Sequence, residues 1–189
     1  MFTSLQHLRF FTVFVFLVFA AASVGCRKCE PQQSPLPEWL KAWVPYSANN
    51  QIVFQNDNLQ TDTLRVTAWT NENVQEGSVE CSNIAEERRV QLSFGNQSTP
   101  VELRLVRESM KITYGAGGAT FMPMSTSFIY GSGPNTTAAY LPSDVINDTL
   151  YNDVLYFSTA DNPVKIIRFV RGHGVVQFVD ANNVVWNKQ

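Results

Sequence analysis

Apolar and polar residues alternate along most of the chain from Tyr46 onward. In a β-strand, successive side chains point to opposite faces, so each alternating run predicts a strand with one buried and one solvated face. The clearest runs cover residues 64–68, 90–94, 101–105 and 110–114. Strands with one wet face are typical of antiparallel sheets, and the pattern therefore predicts an all-β, antiparallel fold.

Turn-forming residues separate these runs. Asn, Asp and Gly tolerate positive φ or close Asx turns, and they cluster at residues 56–58, 95–96, 172–174 and 180–183. The last two clusters are expected to join residues 164–170, 175–179 and 184–186 into a C-terminal meander. We expect eight to ten strands, arranged either as a sandwich or as a strongly curved sheet that closes toward a barrel.

Evidence for helices is limited to two short segments. Residues 38–44 follow Pro37 and predict one or two helical turns, because proline is favoured at the start of a helix. Residues 143–147 predict one further turn, with Ser143 as its N-cap. The stretch at 115–140 is rich in Gly, Ser, Thr and Ala, and it predicts a long loop or an irregular edge.

The first 25 residues have the features of a targeting segment. Arg9 supplies positive charge, and residues 10–22 form an unbroken apolar run. At 1.5 Å per residue this run covers roughly 20 Å, too short for a bilayer core of about 30 Å but suited to a signal peptide. The predicted organisation is a signal peptide at 1–25, a tether with a short helical turn at 26–45, and a single β domain at 46–189.

The end of the apolar run resembles a site of bacterial lipid attachment. Ser23-Val24-Gly25-Cys26 is similar to the lipobox, although the lipobox usually has Leu where Ser23 stands. The resemblance implies that Cys26 is diacylated and becomes the first residue of the mature protein, so that a membrane is one partner of the chain. Each buried CH₂ contributes about 0.8 kcal/mol to such an anchor. The alternative is cleavage near residues 20–22 without lipid.

The remaining cysteines and the histidines limit other chemistry. If Cys26 carries lipid, Cys29 and Cys81 remain. An exported compartment permits a disulfide between them, and two free thiols are the alternative. Two His and three Cys make a multi-ligand His/Cys metal site hard to build, so we predict no metal and no cofactor.

Charge and candidate catalytic residues point away from nucleic-acid binding and from catalysis. The chain has 14 Lys+Arg against 16 Asp+Glu, whereas a nucleic-acid-binding protein needs a basic excess or stripe.

His173 lies between two glycines, and we interpret it as a turn residue rather than a base or a metal ligand. Residues 86–89 predict a solvated, self-neutralising charge run. Asp144, Asp148 and Asp153 do not define a carboxylate pair. We predict no catalytic residues, with a small hydrolase as a lower-ranked alternative.

The larger aromatic residues allow two interpretations. They can form a carbohydrate platform or line a pocket, or they can belong to the core, where most aromatic residues of a small β domain lie. The residues concerned are Trp39, Trp43, Trp69, Trp186, Tyr114, Tyr130, Tyr140, Tyr151 and Tyr156.

Both ends of the predicted domain resemble uncharacterised lipoproteins of the Bacteroidota. The opening resemblance is carried by residues 43–46 (WVPY), 51–56 (QIVFQN) and 61–64 (TDTL). The closing resemblance is carried by residues 151–155 (YNDVL), by 167–178 with their Gly-x-Gly hairpin, and by Trp186. The resemblance implies an envelope-anchored all-β protein and brings no catalytic residues. A similar closing hairpin occurs in curved-sheet lipid carriers of the bacterial envelope.

The same resemblance suggests where the protein resides and how it is modified. Arg27 follows the lipid cysteine where an Asp marks inner-membrane retention in many enteric lipoproteins, so the outer membrane is favoured. Residues 27–30 (RKCE) lack the acidic cluster of surface-exported relatives, which favours the periplasmic face. Thr63 and Thr149 lie in Asp-Thr-Leu triplets that resemble the O-glycosylation site of that phylum. The alternative for both is an ordinary strand threonine.

The combined prediction is a lipid-anchored envelope protein with a non-enzymatic binding or scaffolding role, whose partner is an unknown protein or an apolar ligand. The alternative is a periplasmic carrier of apolar or lipid ligands in the concavity of the sheet. A continuous interior void favours the carrier, and a tightly filled interior favours scaffolding or partner binding.

Overall fold

The computed structural model describes residues 32–76, 83–95, 99–122, 128–132, 135–160 and 162–189. The predicted signal peptide, Cys26, Cys29 and Cys81 lie outside these residues. The described chain contains thirteen strands and one helix. In chain order they are β1 Gln33–Ser34, α1 Glu38–Lys41, β2 Gln51–Gln55, β3 Thr61–Glu76, β4 Asn83–Phe94, β5 Val101–Val106, β6 Ser109–Tyr114, β7 Gly117–Met122, β8 Phe128–Ser132, β9 Thr136–Ile146, β10 Thr149–Thr159, β11 Val164–Val170, β12 Gly174–Asp180 and β13 Val185–Lys188.

All thirteen strands belong to one sheet. Twelve follow each other in the order β8-β7-β6-β5-β4-β3-β2-β13-β12-β11-β10-β9, and every neighbouring pair is antiparallel. β1 adds to β4 in parallel. The two edge strands, β8 and β9, come into contact, so the sheet is nearly closed into a barrel-like shape. The predicted antiparallel, strongly curved sheet is confirmed, and so is the C-terminal meander of β11, β12 and β13.

Aromatic side chains fill the interior of the curved sheet. Phe178 lies at the centre of one group, with its ring centroid 5.1 Å from that of Phe54, 4.7 Å from that of Phe94 and 5.9 Å from that of Trp186. The largest side chains that are fully buried are Trp43, Tyr114, Phe54, Phe94, Phe157, Phe169 and Phe178. Most of the aromatic residues that allowed two interpretations therefore pack in or against the core.

The segment that enters the sheet, residues 36–46, packs into the same core. Leu36, Leu40, Trp43 and Val44 are buried, a spacing that places them along one side of a helical turn. α1 begins after Pro37, whose carbonyl accepts hydrogen bonds from the N–H groups of Leu40 and Lys41. The predicted helical turn is confirmed, although it ends at Lys41. β1 and Leu36 therefore belong to the packed body.

The two segments that carry the family resemblance meet each other in the fold. The Tyr46 hydroxyl is buried and accepts the N–H of Val175 at 2.5 Å, and the N–H of Gly172 donates to the carbonyl of Ala42 at 2.7 Å. Gly174 has a φ of +71°, and a Cβ on it would lie 2.6 Å from Tyr46 Cζ. Glycine is therefore required at 174 because the tyrosine ring occupies the space beside the turn.

A second apolar cluster joins the β9–β10 hairpin to the β11–β12 hairpin. Ile146 packs with Val154, Val170 and Val176, separate from the main core. Asp153, in β10, has a φ of +55° and forms an ion pair with Arg171 at 2.5 Å. The end of the β9–β10 hairpin is therefore held against the β11–β12 turn.

Predictions about the helix at 143–147 and the number of strands are wrong, and the prediction for 115–140 holds only in its second alternative. Residues 115–140 are not a long loop, because they contain β7, β8 and the start of β9, but β8 and β9 are the edge strands of the sheet. Residues 143–147 belong to β9 and its turn rather than to a helix. The strand count is therefore thirteen rather than eight to ten. A Cβ on Gly117 would lie 2.6 Å from Thr136 Oγ1, so a residue that favours loops is needed where β7 approaches β9. Ser143 pairs with Asn152 of β10, and this pairing overrides its capping preference.

Candidate functional site

Surface grooves lie at the end of the sheet where the chain enters it, which we call the entry end. It is defined by β1 and by the β5–β6 turn at Arg107 and Glu108. One groove of about 680 Å³ lies between them and is lined by Ser34, Pro35, Pro37, Asn83, Arg107, Glu108, Ser109 and Met122. A second, of about 250 Å³, is lined by Gln33, Ser34, Pro35, Asn73, Ile84 and Glu86. The entry end therefore offers concave surface on both sides of β1.

Glu86 joins the entering segment to the inner face of the sheet. Its Oε2 accepts the N–H of Leu36 at 2.8 Å, and its Oε1 accepts the amide of Asn71 at 2.9 Å. Lys41 Nζ lies 3.6 Å from Oε2. Burial raises the pKa of Glu86, but these hydrogen bonds and the charges of Lys41 and Arg88 outweigh it, so the pKa lies below its usual value. Each carboxylate oxygen of Glu86 therefore accepts a hydrogen bond.

Glu87 points to the opposite face and is completely buried. It accepts a hydrogen bond from Arg104 Nη2 at 2.6 Å and another from Arg89 Nε. The prediction of a solvated charge run at 86–89 is wrong, because strand geometry sends Glu86 and Glu87 to different faces and the two arginines cover Glu87. Burial raises the pKa of Glu87, but the hydrogen bonds and charges of Arg104 and Arg89 outweigh it and lower the pKa.

Replacing Glu87 by glutamine is expected to lower the free energy of unfolding at pH 7 by about 2 kcal/mol. Removing one partner of a buried ion pair costs more than this, but Arg89 and Arg104 are 47% and 39% exposed, so water screens part of the loss. Because folding lowers the pKa of Glu87, its contribution is present above about pH 4.3 and is lost as the pH falls through the folded-state pKa. Urea unfolding between pH 3 and 7 measures both effects.

The matched control is Glu72→Gln. Glu72 lies directly across from Glu87 in the β3–β4 ladder but is exposed. We expect it to change the free energy of unfolding by less than about 0.5 kcal/mol. Equal losses in the two variants, or an unchanged slope of stability against pH in Glu87→Gln, would contradict the role assigned to Glu87.

Trp69 and Arg88 form a cation–π contact on the inner face of the β3–β4 hairpin. The guanidinium carbon of Arg88 lies 5.5 Å from the ring centroid of Trp69. Both side chains are partly buried, and Trp69 packs against the core. Trp69 Nε1 and Arg88 Nε are buried N–H donors, and neither has a hydrogen-bond partner in the part of the chain that the structure describes. Alternation predicts this placement, because Arg88 continues the inward series of Val90, Leu92 and Phe94.

The other candidate residues from the sequence are dispersed. His173 lies in the exposed β11–β12 turn, where its ring contacts Tyr151 edge-on at 5.6 Å. Asp144 and Asp153 form separate ion pairs with Arg168 and Arg171. Within the described part of the chain, no group of three His, Cys, Asp or Glu residues could hold a metal ion. Asp153 also accepts a hydrogen bond from the Tyr140 hydroxyl.

The two predicted O-glycosylation sites differ in accessibility. Thr149 is exposed at the tip of the β9–β10 hairpin, where Asn147 and Asp148 both have positive φ. Thr63 lies within β3, is only partly exposed, and precedes the fully buried Leu64. Both threonines lie in strands, but an enzyme that must reach the threonine hydroxyl has better access to the exposed Thr149 than to the partly buried Thr63.

Comparison with known proteins does not assign the chain to a family. No family model, no curated protein and no solved structure matches the chain. Among the residues described here, no helix combines the length and the apolar character needed to cross a membrane.

Proposed function

We propose that this chain is a lipid-anchored protein of the bacterial envelope that binds or scaffolds a partner at its surface and has no enzymatic activity. Its anchor is the acylated Cys26, and its location is the periplasmic face of the outer membrane. The observation that carries the binding role is the filled interior, because Trp43, Phe121 and Tyr140 occupy the space beneath the entering segment. A partner then has to bind outside, and the entry end has the grooves for it.

The same observation separates this proposal from a carrier of apolar ligands. The ring centroid of Phe121 lies 5.2 Å from that of Trp43 and 5.7 Å from that of Tyr140. A lipid chain would have to displace these side chains to enter the sheet. Native mass spectrometry of the gently extracted protein is expected to show the mass of the lipidated chain alone. A stoichiometric lipid beyond the anchor would favour the carrier.

The position of the anchor places the entry end near the membrane. β1 begins at Gln33, seven residues after Cys26. An extended chain spans at most about 3.6 Å per residue, so β1 lies within roughly 25 Å of an acylated Cys26. The grooves beside β1 are therefore within reach of a partner in or on the same leaflet.

Mass spectrometry of the membrane-extracted full-length protein tests the anchor. We expect a mature chain that begins at Cys26 and carries acyl chains, and we expect Cys26→Ala to lose the acyl mass and the membrane association. Cys29→Ala is the matched control and is expected to keep both. A soluble product that begins at another residue without fatty acid would contradict the proposal. The same spectra report whether Cys29 and Cys81 are linked, and whether a glycan is present on Thr149 and absent from Thr63.

A further inference from the structure

We propose that the inner face of the β3–β4 hairpin binds a carboxylate beside the entering segment, held by the guanidinium of Arg88 and the indole N–H of Trp69. This inference rests on the proposed binding role of the entry end and names the chemical class of its ligand.

The first observation is the pair of unused donors. Trp69 Nε1 and Arg88 Nε are buried, and neither has an acceptor among the residues that the structure describes. A buried N–H without an acceptor costs about 1 to 3 kcal/mol, so such groups are uncommon unless water or a ligand supplies the acceptor. The two donors belong to neighbouring side chains, because the Arg88 guanidinium lies over the Trp69 ring.

The second observation is that Glu86, an acid on the same face of β4, is not hydrogen-bonded to either donor. Glu86 lies close enough for the charge of Arg88 to lower its pKa. However, its Oε1 is bonded to Asn71 and its Oε2 to Leu36, with Lys41 beside it. The side chain is thus held toward the entering segment, and Arg88 forms no ion pair with it.

The third observation is the charge around this pair. Lys41 and Arg88 face a single partly buried acid, Glu86, while Glu38 is 88% exposed and screened by water. Asn71, which pairs with Arg88 across the ladder, is exposed, so this part of the hairpin borders solvent. One guanidinium and one indole N–H suit a planar monoanion, because arginine binds carboxylates through parallel N–H groups. A dianion would leave charge uncompensated.

The indole N–H resonances of the full-length processed protein in dodecyl maltoside test this inference. The chain has four tryptophans, and Trp69→Phe identifies the resonance of Trp69. On titration with sodium acetate at constant ionic strength, we expect a saturable downfield shift of the Trp69 resonance alone. Arg88→Gln is expected to weaken binding at least about tenfold. The other three resonances report whether each variant remains folded.

The matched control is Arg65→Gln. Arg65 is an exposed arginine on the same strand as Trp69, and its Nη1 donates to the carbonyl of Gly95 at 3.3 Å. We expect this variant to bind acetate as the unmodified protein does. If the Trp69 resonance does not respond to acetate, water alone is the partner of the Trp69 and Arg88 donors, and the inference is overturned. An equal response to inorganic phosphate, or an equal response in Arg88→Gln, would overturn it as well. Each of these results leaves the lipid anchor untouched, because mass spectrometry measures it separately.

Discussion

Replacing Trp43 by alanine is expected to lower the free energy of unfolding by about 3 to 5 kcal/mol, the largest loss we expect from a single substitution in this chain. Trp43 is 2% exposed, and its ring lies edge-on against Phe121 and Tyr140. Removing it leaves a cavity between the entering segment and the sheet, which the surrounding rings cannot fill. Urea unfolding followed by far-ultraviolet circular dichroism measures the loss.

Trp39→Ala is the control for this prediction. Trp39 lies one helical turn earlier, in α1, and is only partly buried at the edge of the core. We expect a loss of about 1 kcal/mol, because less apolar surface returns to water. If Trp43→Ala does not fold, Trp43→Phe gives a smaller cavity and still distinguishes the two positions. Equal losses at 39 and 43 would show that the entering segment is not part of the core.

Replacing Gly174 by alanine is expected to cost about 3 kcal/mol. A φ of +71° costs an L-residue about 1 kcal/mol, and the new methyl group would overlap the ring and hydroxyl of Tyr46. Tyr46 cannot move away freely, because it is buried and its hydroxyl accepts the N–H of Val175. The overlap therefore breaks the contact that joins the entering segment to the β11–β12 turn.

Gly172→Ala separates the two parts of this cost. Gly172 has a φ of +82°, but a Cβ on it would have no heavy atom within 4 Å. Only the backbone penalty remains, and we expect a loss of about 1 kcal/mol. Thermal or urea unfolding of both variants gives the difference directly. If the two alanines cost the same, Tyr46 does not occupy the space beside Gly174.

The strands with strict alternation could be predicted from the sequence. Their burial patterns follow a period of two, as in β5, where buried and partly buried residues alternate from Val101 to Val106. From β3 to β6 and in the C-terminal meander, each strand pairs with the next strand in the chain. Alternation and turn residues were therefore sufficient to predict these strands. The curved-sheet interpretation was one of two that the pattern allowed.

The region from 115 to 146 was not predicted as strands, because its residues favour loops and caps and strand pairing overrides that local preference. Gly117 is tolerated in β7 because Thr136 approaches it closely, and Ser143 is extended because β10 pairs with it. Local propensity at these positions favours loops and caps, and the pairing energy of the nearly closed sheet overrides it. The same applies to Glu87, whose burial depends on an arginine of β5 that no local pattern indicates.

The candidate site at Trp69 and Arg88 was also only partly predictable from the sequence. Alternation along β4 places Arg88 and Glu86 on the inner face, and this much follows from residue order alone. Which of the two side chains finds a hydrogen-bond partner depends on the entering segment. This segment donates the N–H of Leu36 to Glu86, whereas Arg88 lies over the ring of Trp69. Residue order thus determines the strands with strict alternation and their faces, and it predicts the export segment, because these depend on neighbours along the chain. Closure of the sheet, burial of Glu87 and the unused donors arise from contacts between distant residues, and only the folded chain brings those residues together.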